Sequence, residues 1–201
     1  TTNANGTHLY YGYNSIMPDP HYVELFEEGD IRRSLLEIAT QPAEAIYAHY
    51  RNKKFRNKYP NHDGHIVLMR SAEQLLIEAE AKARLNDVTG AVSTLNELRS
   101  KRGLTPLTAG DFTREAIIGE ILLERRRELW GEGFRLYDIL RLQTAPVRLE
   151  STETFVDDDS RTVGVRGHWI TRFPDGSELS PNSDYYLFPI PLNEINNNPN
   201  L

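Results

Sequence analysis

RSAEQLLIEAEAKARLNDVTGAVSTLNELRSKRGL, residues 70–104, decides how this chain is read. Leu75, Leu76, Ala79 and Ala83 recur at helical spacing and predict the buried face of a first helix. Ser71 is the predicted N-cap, with Gln74 three residues on in capping-box position. Asn86 and Asp87 end that helix, and a second, over 88–101, buries Ala91, Val92, Leu95 and Leu98. Gly103 is placed to take its left-handed cap. Ala79 and Ala91 put a small residue on each helix, which lets the two axes approach closely, as in a tetratricopeptide-type hairpin. One such unit cannot bury its own face, so the rest of a stack is expected upstream.

Working outward, EAIIGEILLERRRELWGEGFRLYDILR (115–141) follows a short break. Asp111 is expected to cap a helix over 112–130 whose stripe is Ile117, Ile118, Ile121, Leu122, Leu129 and Trp130. Gly131 and Gly133 break it, a shorter helix over 134–142 follows, and Pro146 stops that one. Upstream, Asp30 predicts a capped helix over 31–39. Residues 45–59 alternate tyrosines with charge and predict a strand or hairpin arm. Downstream, 150–182 is polar with Gly and Pro and predicts a long surface insertion, and YLFPIP (186–191) predicts an extended strand across the helices. The expected fold class is mostly α: a tetratricopeptide-like helical hairpin, of the alpha-alpha superhelix type, with long loops and a few short strands.

Charge is dense beside the two glycines. Glu124 with Arg127, Arg125 with Glu128, Arg135 with Asp138, and Asp138 with Arg141 are each three apart, a spacing that brings side chains together on a helix. The reading is a half-buried ion network that fixes the angle between two helices, and Glu128 with Asp138 is not taken as an acid/base pair.

The composition is that of a soluble globular protein, 39% hydrophobic and 26% charged over 201 residues. A net charge of -6 argues against a general nucleic-acid partner. RNKKFRNK (51–58) reads as a solvated stretch. With no cysteine there is no disulfide framework and no thiolate catalysis or zinc ligation. His62 and His65 lack a third ligand, and Asp157 to Asp159 lack the alternating calcium pattern, so no metal is expected. No nucleophile-elbow, phosphate-loop or dinucleotide motif occurs, and no catalytic residue is assigned. Aromatics in loops are the functional lead: Tyr10, Tyr11 and Tyr13 in a Gly/Asn-rich stretch, and Trp169 flanked by His168 and Arg172. Sugar rings stack their C–H faces on such planes while polar neighbours orient the hydroxyls.

RSAEQLLIEAEAKARLND (70–87), AVSTLNELRSKRGL (91–104), ILLERRRELWGEGFRLYDILR (121–141) and YYLFPIPLNEINNNPNL (185–201) also carry a resemblance. In order and spacing they are similar to the C-terminal part of the SusD/RagB family of outer-membrane nutrient-binding lipoproteins. GDIRRS (29–34) resembles a further family element. The resemblance implies that 1–201 is the C-terminal part of a SusD-like domain, with a helical core at about 66–142, a loop insertion at about 150–182 and a closing extended segment at 185–201. It implies a cell-surface protein held to the outer membrane by a lipid anchor on an upstream part. That protein captures oligosaccharide for a SusC-like TonB-dependent transporter, with no cofactor and no covalent chemistry. Some relatives take peptides. Two other classes are weighed against it: an intracellular helical-repeat adaptor gripping a peptide or protein partner, and a glycoside hydrolase with paired carboxylates.

Overall fold

The computed structural model describes residues 17–40, 47–55, 68–157, 159–168, 170–187 and 189–198. In chain order the elements are α1 (Pro20–Val23), β1 (Leu36–Thr40), β2 (Tyr47–Asn52), α2 (Ser71–Arg84), α3 (Val88–Ser100) and α4 (Arg114–Glu128). After these come α5 (Phe134–Leu142), β3 (Thr154–Val156), β4 (Thr162–Val165) and α6 (Leu192–Asn197). Helices dominate, in agreement with the expected mostly-α class.

The hairpin of α2 and α3 packs against α4. Leu76, Ala79 and Ala83 from α2, Ala91, Val92, Leu95 and Leu98 from α3, and Ile117 and Ile121 from α4 join in one apolar cluster that Leu129 closes. Asp87 starts α3 by accepting the Gly90 N–H at 2.8 Å. Two expected caps differ. Arg70, not Ser71, is the N-cap of α2; its guanidinium has no acceptor to offer the helix N–H groups and instead donates to Glu128 and Glu132. Thr113, not Asp111, caps α4 by accepting from the Ala116 N–H, and Asp111 closes a 3-10 turn, Ala109–Asp111.

Tertiary pairing overrides local preference elsewhere. Asp30 caps only a 3-10 turn, Ile31–Leu35, and the expected helix over 31–39 gives way to β1. β1 pairs antiparallel with β2 from Leu36↔Asn52 to Thr40↔Ala48. The 150–182 stretch is not a free loop, because β3 and β4 complete a sheet of order β1-β2-β4-β3 in which β4 runs parallel to β2. The YLFPIP stretch forms no ladder among the described residues. A 3-10 turn, Asp184–Tyr186, leads into it and α6 follows, and Leu187, Ile190, Leu192 and Ile195 stay exposed. Pro189 and Pro191 have no N–H to give a ladder.

Two glycines bring distant blocks into register. Gly103 has φ +78°, and a Cβ there would lie 3.0 Å from the Gly29 carbonyl oxygen. The Ile31 N–H donates to the Arg102 carbonyl at 3.0 Å beside them. This contact delivers Arg32 and Arg102 to one carboxylate, Glu128 at the end of α4. Arg32 donates to Glu128 at 2.7 Å, Arg102 donates at 2.9 and 2.7 Å, and Arg70 donates as well. Glu124, fully buried one turn earlier, accepts from Arg32 at 2.6 Å and from Arg127 at 3.1 Å. Lys54, just after β2, donates to the Glu128 and Trp130 carbonyls and to Glu132, which ties the sheet to the same point. A second knot joins α4, α5 and α2. Asp138 accepts from Arg125 at 3.1 Å and Arg141 at 2.8 Å, and Arg141 grips Glu80 with two bonds of 2.6 and 2.8 Å.

Two of the pairs expected from spacing therefore take other partners. Arg125 pairs with Asp138 instead of Glu128, whose oxygens are filled by cations from other elements. Arg135 makes no ion pair with Asp138, which Arg125 and Arg141 occupy. Glu124–Arg127 and Asp138–Arg141 form at 3.1 and 2.8 Å.

Burial pushes the Glu128 carboxyl up, but hydrogen bonds from Arg102 and Arg70 overcome it and hold the group far below the usual carboxylate range. Glu80 and Glu132 are likewise raised by burial and lowered further by Arg141 with Arg84, and by Arg70 with Lys54. A carboxyl depressed in the folded state adds stability above its unfolded pKa, about 4.3, and loses it as pH falls toward the folded value. The unfolding midpoint is expected to hold near neutral pH and to drop steeply below about pH 4. An unchanged midpoint from about pH 6 to pH 3 would contradict this. Glu128→Ala, which takes an acceptor from three guanidinium groups and leaves Arg102 without an acid among the described residues, is expected to cost about 3 to 5 kcal/mol in urea unfolding. A loss under about 1 kcal/mol would mean that the cluster behaves as a surface feature.

Candidate functional site

The turn between α4 and α5 shapes a concavity of the described residues. Gly131 (φ +75°) and Gly133 (φ +86°) adopt left-handed backbone that other residues avoid, and so reverse the chain within a few residues. Trp130 before the turn and Phe134 after it line one cavity of about 430 Å³. Asp19 and Tyr22 from α1 and its cap close one side, and Pro146, Arg148 and His168 close another. Tyr22 anchors that wall. Its ring lies 5.1 Å edge-on from Phe26 and 5.9 Å from Trp130, and its hydroxyl donates to the Arg127 carbonyl at 3.0 Å. Burial pushes the phenol well above its ordinary range, so it stays neutral. His168 contacts the Asp19 carboxylate at 3.0 Å. Burial raises Asp19, but the His168 contact and the His21 N–H bring it below the ordinary value.

A second cavity, about 450 Å³, is lined by Phe26, Arg32, Lys54, Arg70, Arg102 and Glu128 among others. Arg32, Lys54, Arg70 and Arg102 serve the Glu128–Glu132 knot, and Arg127, also on its wall, pairs with Glu27, Glu120 and Glu124, so its cations are already paired. The first cavity is different. It combines apolar ring faces with guanidinium groups, which is what a polar ring ligand needs.

Of the residues proposed from sequence as ligand contacts, Tyr10, Tyr11, Tyr13 and Trp169 all lie outside the described residues. His62 and His65 lie there too, and so does Asp158. His168, which precedes Trp169 in the chain, lines the first cavity. Among the described residues no group of three or more His, Asp or Glu is placed to hold a metal ion. Spacing missed Arg32, Arg70, Arg102 and Glu80 as network members. Each sits within or at the edge of a block quoted above, but a rule for pairs on one helix cannot see a partner on another.

A family model described as SusD family matches residues 42–201. The crystal structure of a SusD-like carbohydrate binding protein from Bacteroides vulgatus superposes with a TM-score of 0.81 at 41% identity, over 92% of this chain and 41% of that one. A candidate sugar binding protein from the same species superposes with a TM-score of 0.65 at 27% identity, over 95% of this chain and 39% of that one. SusD-like protein P38 of Formosa agariphila is 36% identical over 90 residues, 41% of this chain and 18% of that protein. The chain thus spans well under half the length of the relatives it matches. With most of its length matched by the family model, the chain belongs to the SusD family.

Proposed function

We propose that this chain is part of a glycan-capturing, non-enzymatic SusD-type protein of the outer-membrane surface. The supporting observation is the close superposition on a SusD-like carbohydrate binding protein, at 41% identity across nearly the whole chain. The protein is held to the outer membrane by a lipid anchor on an upstream part. It passes oligosaccharide to a SusC-like TonB-dependent transporter. The ligand lies against the cavity at the α4–α5 turn, where Trp130 and Phe134 offer ring faces and arginines offer donors. Trp169, which follows His168 in the chain, and Tyr10, Tyr11 and Tyr13 are proposed as further ligand contacts.

The repeat-adaptor reading needs several stacked hairpins. The described residues hold one, α2 with α3, and then turn to a mixed sheet. The hydrolase reading needs two free carboxylates facing a cleft. The acids on the first cavity are each engaged, Asp138 by Arg125 and Arg141 and Asp19 by the His168 ring.

The test is a binding screen of the full-length protein against oligosaccharides, with reducing ends counted in parallel. Binding without new reducing ends is expected. Trp169→Ala is expected to weaken it about ten- to a hundredfold, since losing an aromatic face against the sugar forfeits about 1.5 to 3 kcal/mol. Steady release of reducing ends, or no binding to any glycan, would overturn the reading.

A further inference from the structure

Three consecutive arginines in ERRRE have different fates. Arg125 is buried on Asp138, and Arg127 is buried among Glu124, Glu120 and Glu27. Arg126 between them makes no hydrogen bond or ion pair among the described residues, and it lines the cavity at the α4–α5 turn. Arg135, in the first turn of α5, is on the same cavity and is equally without an ion pair. Arg148 stands at the wall with one long bond, 3.4 Å, to the Ile170 carbonyl. The acids lining the cavity do not balance these charges. Asp138 already accepts from Arg125 and Arg141, and Asp19 from His168 and the His21 N–H. A chain of net charge -6 therefore holds a cationic pocket with two uncommitted guanidinium groups.

Such an arrangement is costly when empty. Burial, and then the nearby charge of Arg126, hold the Arg135 guanidinium below the ordinary arginine range, against a smaller opposing pull from Asp138. Like charges in a partly desolvated wall repel, and an anion set between them removes that repulsion while gaining charge-assisted hydrogen bonds. Guanidinium forks match planar or tetrahedral oxyanions with paired N–H bonds. Trp130 and Phe134 supply an apolar face on the same cavity.

We propose that this cavity is a subsite for an acidic sugar, in which Arg126 and Arg135 take a carboxylate or sulfate ester while the ring rests on the aromatic wall. This rests on the glycan-capture reading and narrows its ligand class. Arg148 assists from the rim.

The test uses the full-length protein and size-matched oligosaccharides in three forms: neutral, uronate-bearing and sulfated. The native protein is expected to prefer one acidic form by about tenfold or more, the scale of one or two hydrogen bonds to a charged group. The preferred form identifies the anion. That preference is expected to shrink with added salt. The double substitution Arg126→Gln with Arg135→Gln is expected to abolish it, bringing affinity for the acidic form down to that for the neutral one. Equal binding of neutral and acidic forms by the native protein would overturn the proposal. So would a double variant that keeps the preference but loses thermal stability, the result expected if these arginines pair with a carboxylate elsewhere in the full-length protein. Binding to no glycan would instead overturn the functional reading itself.

Discussion

One carboxylate organises this chain. Glu128 sits at the end of α4 and receives guanidinium groups from Arg32 before β1, Arg70 at the start of α2 and Arg102 after α3. Desolvating so much charge is expensive, and only a nearly complete set of partners makes it tolerable. The set is close to complete. Glu124 and Asp30 share Arg32, Glu132 shares Arg70, and Lys54 fills the adjoining carbonyls. The apolar cluster alone would hold α2, α3 and α4 together. It would not fix the 31–35 turn or the first strands, which have few apolar contacts with it. Those elements are located by charge. The close approach of Gly29 and Gly103 is what allows Arg32 and Arg102 to arrive from the same side.

What the sequence made legible follows from the range of each interaction. Helix periodicity is local, and α2, α3 and α5 fall where the apolar spacing placed them, with α5 spanning Phe134–Leu142. Pairs three apart on one helix are also local, and Glu124–Arg127 and Asp138–Arg141 are present. Arg125 and Arg135 went astray because the competing partners lie on other elements. The strand at 36–40 was hidden for a similar reason. Its residues satisfy their backbone by pairing with 48–52, and nothing in the local pattern announces that. The polar stretch 150–182 looked like a loop because β3 and β4 are short and mostly solvent-facing. Their place in the sheet comes from β2.

The candidate site was less legible than the fold. Aromatics in polar stretches pointed to Trp169 and the tyrosines at 10, 11 and 13, all outside the described residues. The cavity instead draws on Trp130, assigned from sequence to an apolar stripe, and on arginines assigned to a network or not singled out. Arg125, Arg126 and Arg127 look alike on paper. Only the partners brought by α1, α5 and the residues before β1 separate two that hold the fold from one that faces a cavity. Conversely, the densest charge in the chain is where ligand chemistry is least available, because those groups have already satisfied one another.

That division between arginines that hold the fold and arginines that face a cavity is the centre of the account. It is tested most directly by a crystal structure of the full-length protein with a bound oligosaccharide. The account predicts sugar density against Trp130 and Phe134, with an acidic substituent within hydrogen-bonding distance of Arg126 and Arg135 and the Glu128 cluster unchanged. Sugar bound away from this cavity, with Arg126 and Arg135 paired to carboxylates elsewhere in the protein, would contradict it.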